Sequence, residues 1–280
     1  MPQLELPPFR MPSGGTAGKA LLDTVPQGDV IDAFLLKLSG TTFTASNIAR
    51  LEVIVGGKVA IGLSGDQLDT INKYNGLPYD ASYLPIWFAD PNAQTRQGWS
   101  EGALDTLNRT YSNIQIVCRL DGNQSTDALI EGEMFVGQEK IAPGEQLPQV
   151  QSMFRALLDT EQEMVSGTQD FKLHIGTQEG ASIYAAHFFS ANMTNLEVKR
   201  DGVNLVDRLP VGDIAYKQKL KRSPQPDHVA FDPVYNDQHS RSVPTRRPNG
   251  TPAPFRWMLT MSASENVTGI AELHTTIDRL

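Results

Sequence analysis

Gly14-Gly15-Thr16-Ala17-Gly18-Lys19-Ala20 comes near a phosphate-binding loop, where backbone amides cradle phosphate, a lysine reaches it and a hydroxyl holds magnesium. The pattern departs twice: Ser13 stands where the first glycine belongs, and Ala20 where the hydroxyl belongs. Gly62-Leu63-Ser64-Gly65-Asp66 places a serine between glycines, but the second glycine is not where a nucleophile elbow needs it. Glu131 and Glu133 fall on one face of a strand, as a glycosidase acid pair would. Their alternation with Ile130, Gly132 and Met134 reads more economically as the wet face of an edge strand. Asp121, Asn123, Ser125 and Asp127 alternate oxygen ligands as a calcium loop does, so a structural calcium ion is one reading of that turn. Thr126 replaces the glycine such a loop needs and Gly132 the bidentate glutamate, which favours a plain polar hairpin. The matching turn Ser262-Ala263-Ser264-Glu265-Asn266 carries one acid.

The five histidines, His174, His187, His228, His239 and His274, are scattered, whereas a cupin-type metal site wants two of them one residue apart. Cys118 is the sole cysteine and lies in an apolar run, so it reads as a buried, inert thiol. The sequons Asn108-Arg109-Thr110 and Asn266-Val267-Thr268 carry little weight without a secretion signal. No catalytic, cofactor-binding or metal-binding residue is assigned, and no enzyme is expected.

The elements that would hold such groups are mostly strands. Val30–Ser39, Ile48–Val55 and Lys58–Leu63 read as strands, the last two joined at Gly56-Gly57. Ser64, with Gln67 three residues on, makes a capping box for a short helix that Asn75-Gly76 ends. Lys19–Val25, Ser82–Phe88, Ile114–Leu120 and Leu129–Val136 complete a first half, with one helical turn expected near Leu104. Val150, Met153, Phe154, Leu157 and Leu158 have the spacing of a helix face, which predicts a connector helix. The order then returns: strands at Ile183–Phe189 and Leu196–Arg200, the turn Asp201-Gly202, a return strand, a short helix near Ile214 and two closing strands. Asn47 to Gly57 is echoed about 145 residues later by Asn192 to Gly202, and Phe88-Ala89-Asp90-Pro91 by Phe231-Asp232-Pro233.

These readings divide the chain into an extended arm (1–17) that orders only against a neighbour, a first sandwich (18–145), a connector with a helix (146–170) and a second sandwich (171–280). The polar, Arg- and Pro-rich loop 236–254 is long enough to be either disordered or functional. The fold class is all-β: two tandem eight-stranded jelly-roll sandwiches with a few short helices.

Composition narrows the partners. A formal charge of −8 argues against direct nucleic-acid contact, and the clusters Lys217-Lys219-Lys221-Arg222 and Arg241-Arg246-Arg247 read as solvated faces. The first 140 residues carry 10 basic and 16 acidic side chains, so the acidic excess sits in the first half. There is no apolar run of about 18 residues to span a membrane, and no basic-then-apolar leader, so the expectation is a soluble protein made in a reducing cytoplasm.

The order of pieces resembles the major capsid proteins of corticoviruses, tailless icosahedral bacteriophages with an internal membrane. The pieces are Val30-Ile31-Asp32 leading to Leu38-Ser39-Gly40, Asn47-Ile48 with Leu51-Glu52-Val53 and Gly57-Lys58, Leu68-Asp69, and Phe88-Ala89-Asp90-Pro91. Ile183 through Phe189, Asn195-Leu196-Glu197-Val198 and Asp201-Gly202 follow in the second half. The resemblance implies a double jelly roll, a virion location, and homotrimers of pseudo-hexagonal outline that contact neighbouring trimers over a membrane. It points to the arm and the loop 236–254 as places of contact, and it carries over no catalytic residue. The alternative is a tandem β-sandwich binding module for carbohydrate or a receptor. Such a module wants exposed aromatic platforms. Trp87 and Trp257 sit in apolar strands, leaving Trp99 in a loop.

Overall fold

The described residues of this computed structural model, 3–13, 16–93, 102–137, 153–175 and 181–280, form two runs of nine strands. The first run is β1 (Gln3–Glu5), β2 (Gly18–Leu22), β3 (Val30–Ser39), β4 (Ile48–Val55), β5 (Lys58–Leu63), helix α1 (Gly65–Tyr74), β6 (Tyr83–Trp87), β7 (Leu104–Asp105), β8 (Ile114–Leu120) and β9 (Leu129–Val136). The second is β10 (Phe154–Met164), β11 (Gly167–Phe171), β12 (Ser182–Phe189), β13 (Met193–Arg200), β14 (Val203–Pro210), helix α2 (Val211–Gln218), β15 (His228–Phe231), β16 (Val243–Pro244), β17 (Phe255–Met261) and β18 (Glu265–Thr275).

Each half is a sandwich. In the first, the sheet β1-β9-β3-β6, with β7 on β3, packs on β5-β4-β8-β2; in the second, β10-β18-β12-β15, with β16 on β12, packs on β14-β13-β17-β11. Strand for strand, the second half repeats the pairing of the first with every label raised by nine. Alternation builds each core: Leu51, Val53 and Val55 of β4 and Leu196 and Val198 of β13 point inward and are buried. Both hairpins turn through left-handed pairs, Gly56-Gly57 and Asp201-Gly202, the backbone a two-residue hairpin requires.

The two halves meet through a shared strand pair. Strand β10 runs parallel to β5, with Leu157 opposite Ile61 and Leu158 opposite Gly62. One sheet of each half thereby merges into a single nine-stranded sheet. Arg50 of β4 reaches across this seam to Asp159 of β10, and Lys58 Nζ donates to the Leu280 carbonyl oxygen at 3.0 Å.

Three expectations are corrected, and an alternative the sequence left open is decided. The connector helix is a strand: Val150 lies outside the described residues, and Phe154–Leu158 opens β10, which pairs with β18 over eleven residues. A strand interior to a sheet is apolar on both faces, and over five residues that run looks like a helix stripe. The arm orders on its own chain, since β1 pairs with β9 and Leu6 and Phe9 enter the core. Leu104 sits on β7 rather than in a helical turn. The loop 236–254 is ordered, with β16 on β12, and Thr245 donating through its amide and hydroxyl to the Ala181 carbonyl, both at 2.9 Å.

Candidate functional site

The largest concentration of buried charge lies where the halves meet. Arg155 on β10 and Glu272 on β18 stand opposite each other's neighbourhood in an antiparallel pair, and Arg155 Nε donates to Glu272 at 2.7 Å. The same guanidinium donates through Nη1 to the Trp87 carbonyl of the first half at 2.7 Å. His187 of β12 meets the other Glu272 oxygen through Nε2 at 3.2 Å. Its Nδ1 is 3.0 Å from Nε2 of His228 on β15.

The carboxylate fixes the tautomers of this chain. With the Nε2–H of His187 given to Glu272 and its Nδ1 accepting, His228 Nε2–H is the donor. Nδ1 of His228 is then a bare lone pair, and it is buried without a partner. Protonation would turn it into a buried donor with nowhere to give its hydrogen. Burial, joined by His187, pushes the His228 imidazole down to about 2. Burial alone would raise Glu272; Arg155 and His187 instead hold its carboxyl well below the usual range.

Beside this chain, Tyr74 at the end of α1 donates to Asp232 at 3.1 Å, across 158 residues of sequence. Arg222 binds the same Asp232 oxygen through Nε at 3.0 Å, Asp237 through Nη1 at 2.8 Å and the Val234 carbonyl through Nη2. Tyr74 packs edge-on against both His187 and His228. Burial pushes Asp232 up, opposed by Arg222. The adjoining cavity, lined in part by Arg155, Glu272, Arg222 and His274, has a volume of about 50 Å³, room for a few waters and no substrate. The charged heads are spent on one another, as in a structural joint.

The sequence candidates fall elsewhere and do not converge. Gly14 and Gly15 lie outside the described residues; Lys19 and Ala20 are on β2. Ser64 caps α1, accepting from the Gln67 amide at 3.2 Å while Gln67 Oε1 accepts from the Ser64 amide at 2.8 Å. Glu131 pairs with Lys37 at 2.8 Å, and Glu133 lies opposite Glu5, so β9 is covered by β1 and is not an edge. Asp121 accepts from Asn123, and Asp127 from the Ser125 side chain and then from the amide and hydroxyl of Thr41, which lowers both carboxyls. Among the described residues no group of three or more His, Cys, Asp or Glu side chains is arranged to hold a metal. Cys118 is fully buried, and burial pushes its thiol up to about 12. Trp257 is buried and Trp87 stacks on Phe135 at 6.1 Å, so neither offers a free platform; Trp99 lies outside the described residues.

The histidines, scattered in sequence, are not scattered in space. His187 and His228 pair, and His274 stacks on Tyr184 at 3.6 Å. A signal was present for two of them: His187 stands inside the apolar run of β12, and Arg155 inside the apolar opening Phe154–Leu158 of β10.

Family models for the N-terminal and C-terminal domains of viral coat protein P2 match residues 3–136 and 157–276. The chain belongs to the viral coat protein P2 family. The first match opens on β1 and the second inside β10, the two equivalent entry strands. Among solved structures, this coat protein is similar to the major capsid protein P2 of bacteriophage PM2, at 16% identity and a TM-score of 0.82, covering 100% of this chain and 99% of that one. It is also similar to the STIV MCP, at 11% identity and a TM-score of 0.64, covering 98% and 96%. The Faustovirus major capsid protein follows at 7% identity and a TM-score of 0.62, covering 98% and 89%. At such identities the likeness is one of fold, the double jelly roll. No curated protein matches by sequence. As a coat protein it resides in the virion capsid.

Proposed function

We propose that this coat protein assembles as a homotrimer of pseudo-hexagonal outline and tiles an icosahedral shell around an internal membrane, without catalysing a reaction. The observation that supports this is the strand-for-strand repeat, with the two halves joined side by side in one sheet. Three such chains supply six similar sandwiches around one threefold axis, a shape that fills a flat lattice. The formal charge of −8 suits a shell that makes no direct contact with nucleic acid. Light scattering on the purified protein tests the reading. A mass three times the 30.7 kDa chain, with hexagonal outlines in negative stain, is expected; a monomer at every concentration would refute it.

A further inference from the structure

Strands β5 and β10 close the seam inside the chain; their repeat equivalents are β14 and β1. Among the described residues β14 pairs with β13 alone and β1 with β9 alone, which leaves one edge of each without a strand. The difference in burial is large. Ala60 to Leu63 of β5 and Phe154 to Leu158 of β10 are buried, whereas all three residues of β1 are exposed and β14 is exposed along most of its length. Leu4, Val203 and Leu205 are 42%, 65% and 40% exposed. Unpaired edge strands that present apolar side chains call for a strand to add to them.

From this we infer that β14 of one copy pairs in parallel with β1 of the next copy, repeating between chains the β5–β10 seam within each chain. The register follows from the repeat. Val53 lies opposite Ile61 and Val198 opposite Val206, so Val206 takes the place of Ile61. Leu157 lies opposite Glu272 and Gln3 opposite Phe135, the residues that follow the bulge where β18 meets β12 and β9 meets β3, so Gln3 takes the place of Leu157. Leu157 pairs with Ile61 and Leu158 with Gly62; Gln3 of the neighbour therefore pairs with Val206, and Leu4 with Asp207.

The surroundings suit the occupant. An open groove of about 460 Å³ beside β14 is walled by Leu205, Val206, Leu209 and Ile214, with Lys217 and Arg241 at its rim. The incoming strand turns the alternate residues Gln3 and Glu5 to the side of Val206, and Glu5 supplies an acid for those cations. A contact between two different patches that repeats the internal operation closes when the six halves of three chains are used. The inference thus rests on the trimer proposed above.

Cysteine pairing tests it, since Cys118 is fully buried and will not compete. Gln3→Cys and Val206→Cys chains, co-expressed and mildly oxidised, should give a disulfide-linked dimer, and the double variant a covalent trimer, while each single variant gives neither. Removal of residues 1–5, which spares the core residues Leu6 and Phe9, should shift the light-scattering mass from trimer to monomer with the melting curve of the monomer still cooperative. A wild-type trimer whose cysteine variants never crosslink, or whose truncation remains trimeric, overturns this pairing and leaves the trimer standing. A monomeric wild type overturns both.

Discussion

Acid should loosen this protein through His228. Its imidazole sits at about 2 in the fold, against about 6.5 in the unfolded chain. A histidine lowered on folding contributes its stability fully above 6.5, and the contribution falls away as pH drops toward the folded value, because the unfolded chain then binds the extra proton. The loss amounts to about 1.4 kcal/mol per pH unit below 6.5, hence about 2 kcal/mol at pH 5. For a chain of this size that corresponds to a fall in Tm of roughly 4–8 °C. The groups facing His228 are His187 and Tyr74, with Glu272, Arg155, Asp232 and Arg222 behind them. Glu272, lowered in the fold, gives up its contribution only as pH falls below the ordinary carboxylate range; Asp232, raised, works in the opposite direction. The comparison with a variant that lacks only His228 separates its share from that of these neighbours. Scanning fluorimetry from pH 7.5 to 5 should show the decline in wild type and a flatter line in His228→Phe. That variant starts lower at pH 7.5, by about 1–2 kcal/mol, because the bond to His187 is gone. A wild-type Tm that stays constant from pH 7.5 to 5, or the same slope in both proteins, would refute the reasoning.

Three further expectations can be checked on the same material. Gly269→Ala would bring a Cβ to 2.5 Å from Phe171 Cε1; crowding a packed core in this way should cost about 1–3 kcal/mol, read as a lower urea midpoint. Cys118 should resist a thiol reagent at pH 8 in the folded protein and react at once in denaturant, since its thiol is buried and raised to about 12. Chelator or added calcium should leave the Tm unchanged, because Asp121 and Asp127 are occupied by Asn123 and Thr41; a rise of several degrees with calcium would show an ion held at that turn.

Much of the fold was legible in the chain. The bounds of β3, β4, β5, β8 and β9, and the Ser64 cap, follow from alternation, turn residues and the capping box. β4 and β9 each have one wet face, so their period is visible, while β3 shows as an apolar run buried on both faces. The entry strands were not legible: β1 has three residues and no alternation to detect, and β10 is apolar on both sides at its start. The seam cluster could not be assembled in advance, since His187 and His228 are 41 residues apart and meet only because β12 and β15 pair. What the sequence did carry was the cost of misplacing them: a histidine in Ala185-Ala186-His187-Phe188-Phe189 has to find a partner inside the protein.

The merged nine-stranded sheet also decides how the molecule yields to load. Two sandwiches on a peptide tether can swing about it; two that share a backbone ladder at Leu157–Ile61 cannot, and must bend a twisted sheet instead. The joint is a weld rather than a hinge. A capsid wall built from such pieces meets internal pressure with stiff tiles, and any flexing is left to the boundaries between them.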